Sequence, residues 1–173
     1  MPKIIENLEA RLIAEAKKQL GEFGYGALTI RSVAKGCGVG VGTVYNYFPS
    51  KDALLATFML ESWNHCVEKI HRVSDSSQSP EPVLRSIFDQ LLLFSKEHQS
   101  TFQDAAAATA FAGSFGCYHR LLREQLAAPV RKFCSDDFSA EFVAEAMLVW
   151  TMAGKNFNEI YGILDKIVEC AVS

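Results

Sequence analysis

The chain lacks paired cysteines. Its five, Cys37, Cys66, Cys117, Cys134 and Cys170, are odd in number, widely scattered and never at C-x-x-C spacing. That argues against a disulfide frame or a zinc site, so they read as reduced thiols of a cytoplasmic protein. A long apolar run is also missing: none approaches the ~18 residues of a membrane span, so no membrane partner is expected. The opening MPKIIENLEARL passes straight into a charged amphipathic pattern, which does not read as a secretory leader. Strand-like alternation is absent. So are G-x-S-x-G, a phosphate-binding loop, H-E-x-x-H and any acid–base pair at telling spacing. No catalytic residue, enzyme activity or cofactor is therefore expected. His65, Cys66 and His71 form neither H-x-x-x-H nor C-x-x-C, so no metal site is expected either.

What remains is helical. Apolar residues make up 49% of the 173, enough for a real core. The spacing predicts an all-α chain of about nine helices, a three-helix N-terminal head on a C-terminal helical bundle, divided into residues 1–50 and 51–173. Leu8, Leu12, Ile13, Ala16 and Leu20 carry the first helix, from about Ile5 to Phe23, stopped at Gly24-Tyr25-Gly26. Later helices are expected at about Lys51–Val73, Pro82–His98, Thr101–Gly113, Cys117–Phe133 (with Pro129 as a kink or end), Ser139–Lys155 and Asn156–Ala171.

Residues Leu28 to Leu55, LTIRSVAKGCGVGVGTVYNYFPSKDALL, carry the functional signal. Thr29 caps a short helix containing Ile30, Val33 and Ala34, which ends at Gly36. Gly36 and Gly38 give the backbone freedom for a sharp turn. Val41, Val44, Tyr45 and Phe48 carry a second helix, to about Tyr47, and Ser50 caps the next. Two short helices about such a turn form a helix-turn-helix, whose second helix enters the DNA major groove. Its leading residues here are Gly40-Val41-Gly42-Thr43. Thr43 can bond a phosphate or a base edge, Val41 can meet a thymine methyl, and Tyr45, Asn46 and Tyr47 lie one turn on. Thr29 and Lys51 bracket the motif beside helix N-termini, where phosphate oxygens are favoured. Phe48 reads as core, and Cys37 as packing in the turn. Charge agrees weakly: residues 1–52 hold seven Lys/Arg against five Asp/Glu, the remainder ten against fifteen.

From Arg11 to Met59 the chain resembles the DNA-binding domain of the TetR family of transcriptional regulators. The resemblance rests on Gly24 to Thr29, Val33-Ala34, Gly38-Val39, Gly42-Thr43-Val44-Tyr45-Asn46-Tyr47-Phe48 and Ser50-Lys51-Asp52-Ala53-Leu54. It implies phosphate contacts at Thr29, Thr43, Tyr47 and Lys51, and base contacts at Val41, Thr43 and Tyr45. Gly40 and Val41 depart from the family's usual hydroxyl residue followed by Lys, Arg or Pro. The resemblance further implies a homodimer on double-stranded operator DNA, formed by the last two helices, and a repressor released by a small, largely apolar effector. The wide apolar faces of those helices, with Phe142, Val149, Trp150, Ile160 and Ile163 among them, fit burial on two sides. Trp63, Phe111 and Tyr118 are the candidate effector-lining residues. The competing reading is an all-helical protein-interaction module whose head has lost specific DNA binding.

Overall fold

Leu8, Leu12, Ile13, Ala16 and Leu20 are at most 5% exposed and line one face of α1 (Leu8–Ala27). Gly24, at φ 77° and ψ 171°, breaks the helical geometry near its end. The computed structural model describes residues 7–105, 107, 109 and 115–169. Among these are nine α-helices, one 3-10 helix and no strand, so the chain is all-α as its spacing predicts. Among the described residues no helix is long and apolar enough to cross a membrane. The chain falls into two packing units, one drawn from Met1–Ser62 and His98–Gly113, the other from Trp63–Glu97 and Ser114–Ser173.

The first unit holds α1, α2 (Ile30–Cys37), α3 (Val41–Tyr45), the start of α4 (Lys51–Ser76) and α6 (Gln99–Phe102). Val33, Val44, Phe48, Leu54, Leu55 and Phe58 join the α1 stripe in one core. Of the alanine-rich helix expected over Thr101–Gly113, Thr101 and Phe102 instead close α6, Gln103 is a turn, Ala105, Ala107 and Thr109 are helical, and residues 106, 108 and 110–113 lie outside the described residues.

The second unit holds the rest of α4, α5 (Pro80–Glu97), α7 (Phe115–Ala127), the 3-10 helix Ala128–Phe133, α8 (Asp137–Met152) and α9 (Phe157–Glu169). α5 and α7 both pack against α8, around Val83, Leu84, Ile87, Val143 and Met147. Several boundaries differ from the sequence-based expectation for local reasons. Pro129 has no N–H to continue an α-helix, so the expected Cys117–Phe133 helix becomes α7 and a 3-10 turn. The carboxylate of Asp136 accepts the Ser139 N–H at 2.7 Å, so α8 starts before Ser139. Gly154, at φ 79°, closes α8 short of Lys155, with the Lys155 N–H bonded to the Trp150 carbonyl at 3.0 Å. Asn156 and Glu159 cap one another's backbone N–H groups at 3.0 Å, so Asn156 precedes α9 instead of opening it.

α4 outruns its expected end at Val73. The Lys132 ammonium donates to the carbonyls of Ser74 and, at 2.9 Å, Ser77. A cation at a helix C-terminus satisfies carbonyls that would otherwise face only water. Lys132→Ala is expected to fray this last turn and to lower stability by about 1 kcal/mol. Thermal unfolding would show a Tm lower by roughly 2–4 °C.

Candidate nucleic-acid interface

α2 starts on a reciprocal cap. The Thr29 hydroxyl accepts the Ser32 N–H at 3.0 Å, and Ser32 Oγ accepts the Thr29 N–H at 3.1 Å. This spends acceptor capacity on Thr29 and leaves its O–H to donate outward. The helix runs one residue past the expected Gly36, through Cys37. Gly38 alone takes the left-handed turn, at φ 68°, with its N–H on the Lys35 carbonyl and the Val39 N–H on the Ala34 carbonyl. Gly36 is instead a helical residue lying against the side chain of Glu15. Arg11 reinforces the turn from α1, donating to the Cys37 carbonyl at 3.2 Å. The Cys37 thiol donates to the Arg11 carbonyl at 3.5 Å. Burial pushes that thiol up, with Glu15 adding and Arg11 opposing, so it behaves as a packed thiol.

α3 begins after Gly40. Its backbone is held by Thr43 and Val44 N–H bonds to the Gly40 carbonyl, and the turn continues to Phe48, whose N–H reaches the Val44 carbonyl at 2.9 Å. Val44 and Phe48 are buried and anchor the helix. Tyr45 and Tyr47 are 53% and 45% exposed, which makes them surface aromatics and not core. Asn46 is exposed, Thr43 half-buried, and Val41 partly packed against the core. Only part of the Val41 side chain therefore faces outward. A Cβ at Gly40 would meet nothing closer than Thr43 Oγ1 at 3.7 Å, and one at Gly42 would meet nothing within 4 Å. The fold demands neither glycine; both leave the leading edge of α3 bare. Arg31 and Lys35 are exposed on α2 and add positive charge that residue-by-residue motif matching passed over.

Ser50 caps α4 by accepting the Ala53 N–H at 3.1 Å, which sets Lys51 and Asp52 in its first turn. Lys51 donates to the Tyr25 carbonyl at 3.1 Å and lies 3.8 Å above the centroid of the Tyr25 ring. The Tyr25 hydroxyl donates to Asp52 at 2.5 Å. Burial foremost, then the Asp52 bond, pushes the phenol up to about 12. Thus Thr29, Val41, Thr43, Tyr45, Asn46, Tyr47 and Lys51 all come from one packing unit, on α2's cap, α3 with its following turn, and α4's first turn.

The sequence pattern that defines bacterial regulatory proteins of the tetR family matches residues 12–57, the stretch that builds this interface. Those residues belong to that family. Among curated relatives, the chain is 26% identical over 72 residues to the HTH-type transcriptional regulator Rv1816 of Mycobacterium tuberculosis, covering 42% of itself and 31% of that protein. It is 34% identical over 99 residues to the uncharacterised HTH-type transcriptional regulator YhgD of Bacillus subtilis, covering 54% of itself and 49% of that protein. It therefore spans about a third to a half of those relatives' lengths. Among solved structures, the TetR-family repressor FadR of Thermus thermophilus, in complex with lauroyl-CoA, shares its fold with a TM-score of 0.63, 20% identity and 95% coverage of both chains. Residues 12–57 thus form a helix-turn-helix of that family's DNA-binding type.

Two of the three candidate effector residues lie among the described residues. Trp63 is buried, edge-on to Phe94 at 5.3 Å, and its indole N–H donates to Gln125 at 2.6 Å. Its polar tip is already satisfied inside the second unit. Tyr118 is 45% exposed on α7, and Phe111 lies outside the described residues. An open cavity of about 560 Å³ is lined by other residues: Val73, Glu81, Pro82, Arg85, Ser86, Asp89 and Gln90.

Proposed function

We propose that the protein is a ligand-responsive repressor that binds operator DNA as a homodimer, with residues 1–50 as the DNA-binding part and 51–173 as the effector and dimerisation part. The observation that carries the DNA side is the exposed set Tyr45, Asn46 and Tyr47 on an anchored α3, with Lys51 beside it. Thr29, Thr43, Tyr47 and Lys51 would bond phosphates, while Val41, Thr43 and Tyr45 would meet base edges. Dimerisation is supported by α8 and α9, which leave Phe138, Phe142, Trp150 and Ile163 between 48% and 76% exposed. An apolar surface of this kind marks an interaction site. Two such protomers would set their reading helices in successive major grooves, ~34 Å apart.

The FadR relative binds lauroyl-CoA. An apolar effector is the corresponding expectation here, with release arising because the ligand favours a state of the dimer that fits operator DNA poorly. α4 runs unbroken from Lys51 to Ser76 and is the natural lever. Fluorescence anisotropy with the duplex lying upstream of the chain's own reading frame tests the proposal. Binding should exceed that to a scrambled duplex, fall steeply with salt, and be reversed by the effector; lauroyl-CoA is the first probe. Salt-independent binding equal on both duplexes would point to the interaction-module reading.

Gly40 gives a finer test. Gly40→Ser meets only an ordinary contact with Thr43 and supplies a hydroxyl at the head of α3. The variant should fold as the parent does and bind duplex DNA about tenfold more tightly through one neutral hydrogen bond per protomer, each contributing roughly 0.7 kcal/mol. The salt slope should be unchanged, because no charge is added.

A further inference from the structure

We propose that Tyr25 is a positioning residue for DNA binding, holding Lys51 and Asp52 apart so that the Lys51 ammonium is presented to a DNA phosphate. The inference rests on the reading of Lys51 as a phosphate contact and deepens it. Three contacts from one residue reach two consecutive residues of α4. The Tyr25 carbonyl accepts from Lys51 Nζ at 3.1 Å, its ring face lies 3.8 Å beneath that ammonium, and its hydroxyl donates to Asp52 Oδ1 at 2.5 Å. Tyr25 is 3% exposed, so its ring cannot swing away.

Each contact has a consequence for an incoming phosphate. A lysine side chain is a flexible stem whose freedom is lost on binding; one already held by a carbonyl and a ring face loses less. An ammonium has three donors, so one bond to the Tyr25 carbonyl leaves two for a phosphate. Asp52 is the acidic residue of α4's first turn and the chain neighbour of Lys51. Unrestrained, its carboxylate would pair with Lys51 or repel the phosphate. Bonded to the phenol, it is held on the Tyr25 side. The phenol keeps its proton until about pH 12 and so can donate throughout the neutral range.

The test is a pair of double-mutant cycles read by anisotropy on a fluorescein-labelled, mixed-sequence duplex of about 30 base pairs, across a salt series. Phosphate contacts dominate such non-specific binding, so the operator need not be known. Tyr25→Leu should weaken binding about tenfold in the parent, about fivefold from the lost cation–ring contact and about twofold from the freed Asp52, and by no more than about twofold in a Lys51→Gln background. Tyr25→Phe keeps the ring but frees Asp52. It should weaken binding about twofold, and that loss should vanish in an Asp52→Asn background. The phenylalanine cycle decides the matter if the leucine variant does not fold. Equal losses in the paired backgrounds, or no loss in either Tyr25 variant, would overturn the positioning role while leaving DNA binding intact. Absence of salt-dependent binding by the unaltered protein would instead overturn the DNA reading of Lys51, and this inference with it.

Discussion

A Tyr47→Ala/Lys51→Ala variant is expected to lose duplex affinity by on the order of 10,000-fold at moderate salt while remaining folded. Tyr47 is 45% exposed, and Lys51 is part-exposed at the head of α4, so neither truncation opens the core. Lys51 does give up its bond to the Tyr25 carbonyl and its place over that ring, which costs the fold about 1 kcal/mol or less. The loss in binding is larger for two reasons. Each protomer forfeits one ionic and one hydroxyl contact to phosphate, and hydrogen bonds to a charged group contribute roughly 1.5–3 kcal/mol. A symmetric dimer forfeits both twice. The ionic part also has a signature of its own. Each phosphate no longer neutralised lowers the slope of log K against log salt by about 0.9, so a dimer should lose nearly two units. Anisotropy over a salt series, with thermal unfolding as the folding control, checks both. A large loss of affinity with an unchanged slope would show that Lys51 does not meet a phosphate.

Replacing Ile163 with glutamate, Ile163→Glu, should convert the proposed dimer to monomer at micromolar concentration. Ile163 is 67% exposed on α9, and Phe142, Val149, Trp150 and Met152 are 44–48% exposed on α8. On a monomer this substitution is harmless, since a carboxylate replaces an apolar group already in water. Buried against a second copy, the same carboxylate must lose its hydration without a partner, at a cost of several kcal/mol. Sedimentation velocity should show the parent at twice the monomer mass and the variant at the monomer mass. DNA affinity should fall with it, because two linked heads bind far more tightly than one. A parent that sediments as a monomer, or a variant that remains dimeric, would place the interface elsewhere or remove it.

The parts of the head set by neighbouring residues were legible in the sequence. Thr29 and Ser50 are caps because a hydroxyl three residues before an N–H is positioned to accept it. The apolar stripe of α1 follows from its spacing alone. The glycine turn was half legible. A glycine was needed to leave α2, but Gly36 and Gly38 both offered one, and only the packing of Val39 against the core selects Gly38.

Contacts between distant residues were not legible. The tie between Tyr25 and Lys51 spans 26 residues. The extension of α4 to Ser76 depends on Lys132, which lies 58 residues beyond the Ser74 carbonyl it caps. Trp63 was a reasonable pocket candidate as an aromatic with a polar tip. Its N–H is satisfied by Gln125, 62 residues away, a pairing that no local pattern announces. Helical spacing tells which face is buried but not which partner buries it.

Selection of bound fragments from the genome that encodes the chain, run with the parent and the Tyr47→Ala/Lys51→Ala variant side by side, tests the central claim most directly. A dimeric reader should enrich an inverted repeat with half-sites about 10 base pairs apart, centre to centre, or a multiple of that, and the variant should enrich nothing. Fragments with no common motif, or the same fragments recovered equally well with the variant, would contradict a repressor that reads DNA through α3 and Lys51.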